Sequence, residues 1–263
     1  MCLIFISYRS HAQYPLVVAA NRDEFFARET QQAHLWDGGV LAGRDGRAGG
    51  TWLGVRKAED GGVRFAALTN RRGGTVTEAN RSRGELSANF LNGSASAADY
   101  AHAVAARADD YAGFNLLVAD DEAMFYINND SAAGSPNALE AGCYGLSNGV
   151  LEEPWPKLTS GKRRFEELLA SPQRLETDAL IHMMNDRSRP APHELPSTGL
   201  SAELEHRLSS VFIENEPGSE SLQDYGTLCS TALIVNSGGA LRFHERNFDR
   251  GGRAERSHFF HLG

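Results

Sequence analysis

The chain has 263 residues, 41% of them hydrophobic and 23% charged, proportions that suit a globular fold and leave enough apolar side chains for a large core. Its net charge of −8 and pI near 5.6 argue against nucleic acid as the main partner, because phosphate binding needs a basic surface. No apolar run is long enough to span a bilayer, and three scattered cysteines (Cys2, Cys143, Cys229) give neither a disulfide framework nor a Cys-x-x-Cys metal motif. A cytoplasmic, reducing location and one domain over residues 1–263 are the expectations.

The chain opens on two apolar runs, 1–8 and 16–20, flanking a polar turn at 9–15, which reads as an antiparallel hairpin. The second run leads straight into Asn21-Arg22-Asp23-Glu24. If the strands pair, Cys2 lies beside that cluster, so a thiol meets a guanidinium and two carboxylates. Alternation along a strand puts Asn21 and Asp23 on one face and Arg22 and Glu24 on the other, so only one pair can meet Cys2. Removal of Met1 would give Cys2 a free α-amine, with a reference pKa of about 7.7–8, able to take the proton of its own thiol.

Residues 31–50 read as loop with a short strand near Val40-Leu41. Ala48-Gly49-Gly50-Thr51-Trp52-Leu53-Gly54 then suggests a bend where other backbone comes close, with Trp52 in the core. The strand 64–70 ends on Asn70, followed by Arg71 and Arg72. Ser82 and Glu85 have capping-box spacing before Leu86, Phe90 and Leu91 at helical spacing, and 96–107 reads as a second helix. Runs 115–119 and 123–127 form a hairpin, and 142–149 is another strand, stopping at Asn148. An amide at a strand end can donate to an oxyanion, and Asn70 and Asn148 are candidates to converge on one pocket. Helices are expected over 159–170, 177–184 and 201–212, and strands over 231–235 and 241–246. The nine histidines show no metal-ligand spacing, and His258 and His261 read as part of a solvated tail. Strands, helices, strands, helices and strands in that order indicate α+β.

Several of these stretches together resemble the NRDE-motif family, also called the transport and Golgi organisation type 2 family. They are Met1-Cys2-Leu3-Ile4, Asn21-Arg22-Asp23-Glu24, Ala48-Gly49-Gly50-Thr51-Trp52-Leu53-Gly54, Leu68-Thr69-Asn70, Gly145-Leu146-Ser147-Asn148 with Trp155-Pro156-Lys157, and Tyr225-Gly226-Thr227 before Ser230-Thr231. The resemblance implies a fold similar to the N-terminal nucleophile hydrolases, a four-layer αββα sandwich of two antiparallel sheets flanked by helices. On that analogy Cys2 is a nucleophile supported by Arg22 and Asp23, with Asn70 or Asn148 the oxyanion donor. It also links the family to movement of haem and to acyl-CoA or lipid handling. The first function expected is therefore intracellular binding of an amphipathic ligand, haem held non-covalently or an acyl-CoA, with no cofactor required and no metal site. Asn21, Arg22, Glu24, Trp52, Arg71 and Arg72 are the expected ligand contacts, the arginines pairing propionate or phosphate. The alternative is a hydrolase or acyltransferase in which Cys2 attacks an amide or thioester.

Overall fold

The computed structural model describes residues 2–58, 61–72, 81–129, 136–216 and 222–263. The chain divides into two compact units. The first holds Met1–Ala27, Ala141–Ser147 and Leu151–Gly263, and the second holds Arg28–Glu140 and Asn148–Val150. Each is an antiparallel sheet carrying helices, so the α+β class expected from the element order is what the chain adopts.

In the first unit the amino-terminal hairpin forms as its sequence suggests, β1 over Cys2–Tyr8 and β2 over Leu16–Phe25. Further along the chain come β10 (Gly142–Leu146), β11 (Tyr225–Val235), β12 (Leu241–Phe248) and β13 (Ala254–Leu262). The six strands lie in the order β10-β1-β2-β11-β12-β13. Helices α3 (Pro156–Leu169) and α4 (Thr177–Met183) share a core with Leu3, Phe5, Val17, Ala19, Ala232 and Ile234, the alternate residues of β1, β2 and β11. Gly161 is required at that contact, because a Cβ there would sit 2.3 Å from the Phe5 ring. The opposite face of the sheet is buried as well, through Ile4, Ile6, Val18 and Ala20.

The second unit holds β3 (Thr30–Leu35), β4 (Val40–Asp45), β5 (Leu53–Lys57), β6 (Val63–Asn70), β7 (Phe114–Ala119), β8 (Met124–Asn128) and β9 (Asn137–Ala138), paired in chain order. Helices α1 (Gly84–Asn92) and α2 (Ala97–Ala105) pack on it through Leu86, Phe90, Leu91, Tyr100, Ala101 and Val104. The expected close backbone approach at the paired glycines is to α1: a Cβ on Gly50 would lie 2.4 Å from the Gly84 carbonyl carbon.

Some local expectations give way to longer-range pairing. The stretch 31–50 is mostly a β3–β4 hairpin, because Ala33 and Val40 to Ala42 find a buried face despite the polar residues between them. Ser82 does not cap α1 through a capping box: Arg83 holds the N-cap position without a side-chain bond, and Glu85 instead accepts from the Tyr111 hydroxyl at 2.7 Å. Trp52 is only half-buried. The helix expected over 201–212 is one short element, α5 (Ala202–Arg207), and the expected tail at His258 and His261 is strand β13. Pairing with β12 gives those histidines an ordered backbone that their polar sequence does not announce.

Candidate functional site

Strand register settles which member of the polar cluster meets the thiol. Cys2 lies directly opposite Arg22 across the β1–β2 pair, and on the other side of β2 Arg22 lies opposite Cys229 of β11. Opposed residues in an antiparallel pair share a face, so the guanidinium-bearing residue stands between two cysteines. All three are buried, with Cys2 at 7% exposure, Arg22 at 6% and Cys229 at 5%. This is the face turned away from the α3 and α4 core, since Leu3 and Ala19 face that core. A one-residue bulge at Leu228 separates Thr227 from Cys229 and sets this row.

Asn21 and Asp23 point the other way. Asn21 is fully buried, donates from Nδ2 to the Met184 and Val211 carbonyls at 2.8 and 2.9 Å, and accepts from Ser230 Oγ at 2.6 Å. It ties β2 and β11 to the segments after α4 and α5. Asp23 accepts from Thr227 Oγ1 at 2.7 Å, and the same hydroxyl oxygen accepts the Ile213 N–H at 2.9 Å. Tyr225 donates its hydroxyl to the Asp23 carbonyl at 3.0 Å. Buried Lys157 of α3, which donates to the Leu208 carbonyl at 2.9 Å, adds a cation to this side. Glu24 shares the Arg22 face by alternation, but its Oε1 accepts from the adjacent Phe25 amide at 3.0 Å. Of the two pairs that alternation allows, Arg22 and Glu24 therefore share the face of the thiol, while the charges of both Asp23 and Glu24 still raise its pKa.

Burial dominates the electrostatics. It pushes the Cys2 thiol up to about 11, the charges of Asp23 and Glu24 adding to the rise and Arg22 opposing it. Cys229 is raised well above the usual thiol range, by burial first and then by the carboxylate of Glu245, itself buried. Asp23 is raised by burial against the opposing influence of Lys157, Thr227 and Arg22. The backbone around Cys2 is also engaged, with Ser147 Oγ donating to the Cys2 carbonyl at 3.4 Å. Met1, whose removal would expose the amine of Cys2, lies outside the described residues.

The remaining candidates belong to the second unit. Asn70 and Asn148 do come together, as the two polar strand ends suggest: Asn148 Nδ2 donates to the Asn70 carbonyl at 2.7 Å, and the Arg72 amide donates to the Asn148 carbonyl at 2.7 Å. The Arg71 amide donates to the Gly113 carbonyl at 2.9 Å, and both arginine side chains are half-buried. Asn115, absent from the sequence-derived set, joins this knot by donating to Gly149 and Thr69 and accepting from Tyr126. In the first unit Lys157, Thr227 and Ser230 lie in stretches that carry the family resemblance, but neither they nor Cys229 have a role legible in the sequence, because their partners lie on distant strands. Among the described residues no group of three or more His, Cys, Asp or Glu is placed to hold a metal ion. A cavity of about 500 Å³ opens at the far end of the six-stranded sheet, between the 9–15 and 236–240 turns, and none of the candidate residues lines it.

An α+β fold of two helix-bearing antiparallel sheets, whose first strand opens on a buried cysteine in register with an arginine, defines the class of protein. The Transport and Golgi organisation 2 family model matches residues 1–250, and the chain belongs to that family. It is 34% identical to the Transport and Golgi organization protein 2 homolog of Bos taurus, covering 94% of this chain and 93% of the relative. It is 33% identical to the Homo sapiens homolog over the same shares of each chain. Against Transport and Golgi organization protein 2 of Drosophila melanogaster the identity is 26%, over 93% of this chain and 91% of that one. Among solved structures it matches Anbu, an ancestral β-subunit from Yersinia bercovieri, with a TM-score of 0.38 and 12% identity over 98% of this chain and 86% of that one. Among the described residues no helix is long and apolar enough to cross a membrane.

Proposed function

We propose that this protein binds and moves an amphipathic anionic ligand, haem or a fatty-acyl thioester of coenzyme A, with Arg22 as the charged contact and Cys2 beside it. The observation that supports this is the division of the NRDE cluster: Arg22 shares the face of Cys2, while Asp23 is turned to the other face and held by Thr227. Arg22 already has a partner within the chain, and a propionate or phosphate would have to take that place on its forked donors, at an interaction strength that low local dielectric enhances. A thiol raised to about 11 stays protonated at pH 7, a poor resting nucleophile. The cytoplasm is the compartment in this reading.

The hydrolase reading is favoured by one feature, the placement of Cys2 as the first residue of β1, where loss of Met1 would supply an amine base. Titration with haemin followed by its Soret band, and with a fluorescent acyl-CoA, tests the carrier. Saturable binding to the wild type, weakened at least tenfold by Arg22→Gln and little changed by Cys2→Ser, is expected. Absence of binding by both ligands overturns the carrier. Intact mass lacking Met1, together with thioester or amide cleavage abolished in Cys2→Ala, would establish the hydrolase in its place.

A further inference from the structure

Among the described residues four strand edges bound the two sheets, and three of them are guarded along their length. At β10, Glu152 accepts the Gly145 amide on its side chain and donates its own N–H to the Gly145 carbonyl at 2.9 Å. β3 is interrupted by a register shift between Gln31 and His34, and β9 has only two residues. β13 has such a shift only at its start, at Glu255, and is regular beyond it. It is nine residues long, contains no Pro, Gly or Lys, and pairs regularly with β12 from Arg256 to Leu262 after a shift that sets Glu255 apart. Such an edge presents a row of N–H and C=O groups to any strand that can align with it. In the middle of the regular stretch stands Phe259, stacked on His244 with centroids 3.9 Å apart and yet 55% exposed.

We propose that β13 is a dimerisation edge, pairing antiparallel with β13 of a second copy of this chain about a two-fold axis at Phe259. A two-fold axis normal to the sheet keeps every side chain on its own face, so it must pass through a residue position, and Phe259 is the midpoint of residues 256–262. That register opposes Phe259 to its twin, His258 to Phe260, Ser257 to His261 and Arg256 to Leu262. No cation meets a cation, the aromatic pair lies on the axis, and Arg256 sits diagonally to Phe260, within reach of its ring. Moving the axis to Ser257 would set Arg256 against His258 and Phe259 against the displaced Glu255, so of these two registers the sequence favours the first. The two six-stranded sheets join edge to edge, and the exposed Phe259 ring is covered.

Sedimentation velocity on the full chain, from about 1 to 100 μM, tests this, a range in which a modest specific interface shows its dissociation constant. The wild type is expected to dimerise. Phe259→Glu and Phe259→Lys are each expected to weaken the dimer at least tenfold by opposing like charges on the axis, and an equimolar mixture of the two should restore it. Both variants lose the stack on His244 equally, so recovery in the mixture reports pairing and not folding. A wild type that stays monomeric to 100 μM, variants that both remain dimeric, or a mixture that stays monomeric overturns the proposal.

Discussion

A thiol inside a protein loses most of the hydration that stabilises its anion, and a single neighbouring cation returns only part of it. That balance, together with the carboxylate charges of Asp23 and Glu24, makes Cys2 a protonated residue, despite Arg22 in direct register with it. Alkylation with iodoacetamide at neutral pH, mapped by peptide mass, should therefore modify half-buried Cys143 well before Cys2 or Cys229. Equal labelling of Cys2 would mean that Arg22 outweighs burial. The same scale governs Asp23. Its Oδ1 accepts from Thr227, a role an amide oxygen also fills, so Asp23→Asn should fold with a melting temperature close to the wild type, whereas Asp23→Leu should not. The sequence supplied the alternation that separates Arg22 from Asp23. It did not supply the register that aims one of them at the thiol, because register depends on which residues of β1 and β2 face each other across the turn.

At the level of elements, the six-stranded sheet is held to its helices by a few obligatory contacts. Asn21 satisfies two carbonyls on segments that follow α4 and α5, and Ser230 satisfies Asn21. Removing that amide in Asn21→Ala strands buried acceptors and should lower unfolding free energy by about 1–3 kcal/mol in urea denaturation. At Gly161 the helix comes so near β1 that one added methyl group meets Phe5, and Gly161→Ala should cost about 1–3 kcal/mol despite the better helix propensity of alanine. A Gly161→Ala protein as stable as the wild type would show that α3 can slide. The need for glycine here is invisible in the helical pattern of 156–169, which shows an amphipathic helix and not how closely its partner lies. The paired glycines at 49 and 50 were easier to interpret, since two in succession before a strand already point to crowded backbone.

For the whole molecule, acid is the informative perturbation. His244 is fully buried, and burial lowers its pKa from 6.5 to about 4, with Asp178 opposing the shift at 3.8 Å and Arg246 adding to it. The unfolded chain therefore binds a proton that the folded chain refuses, so stability is full above about pH 6.5 and falls as pH drops toward 4. Asp23 works in the opposite sense, since its raised pKa means that the folded state holds a proton longer than the unfolded one as pH rises from the acid side. His244→Phe should flatten the decline between pH 6.5 and 4 in thermal melts, because only His244 titrates across that window in the destabilising direction among these two groups. An unchanged slope would place the acid-sensitive group elsewhere.

By itself the sequence determined the α+β class, the amino-terminal hairpin, the α3 and α4 helices and the two faces of the NRDE cluster, because each follows from periodicity over a few neighbouring residues. Only the tertiary structure decided that Thr227 holds Asp23 across 204 residues of chain, that Cys229 completes a row with Cys2 and Arg22, and that residues 254–262 form an edge strand and not a tail. Those outcomes depend on which distant strands pair and with what register. Backbone hydrogen bonding accepts almost any side chain there, so local sequence carries little record of the choice.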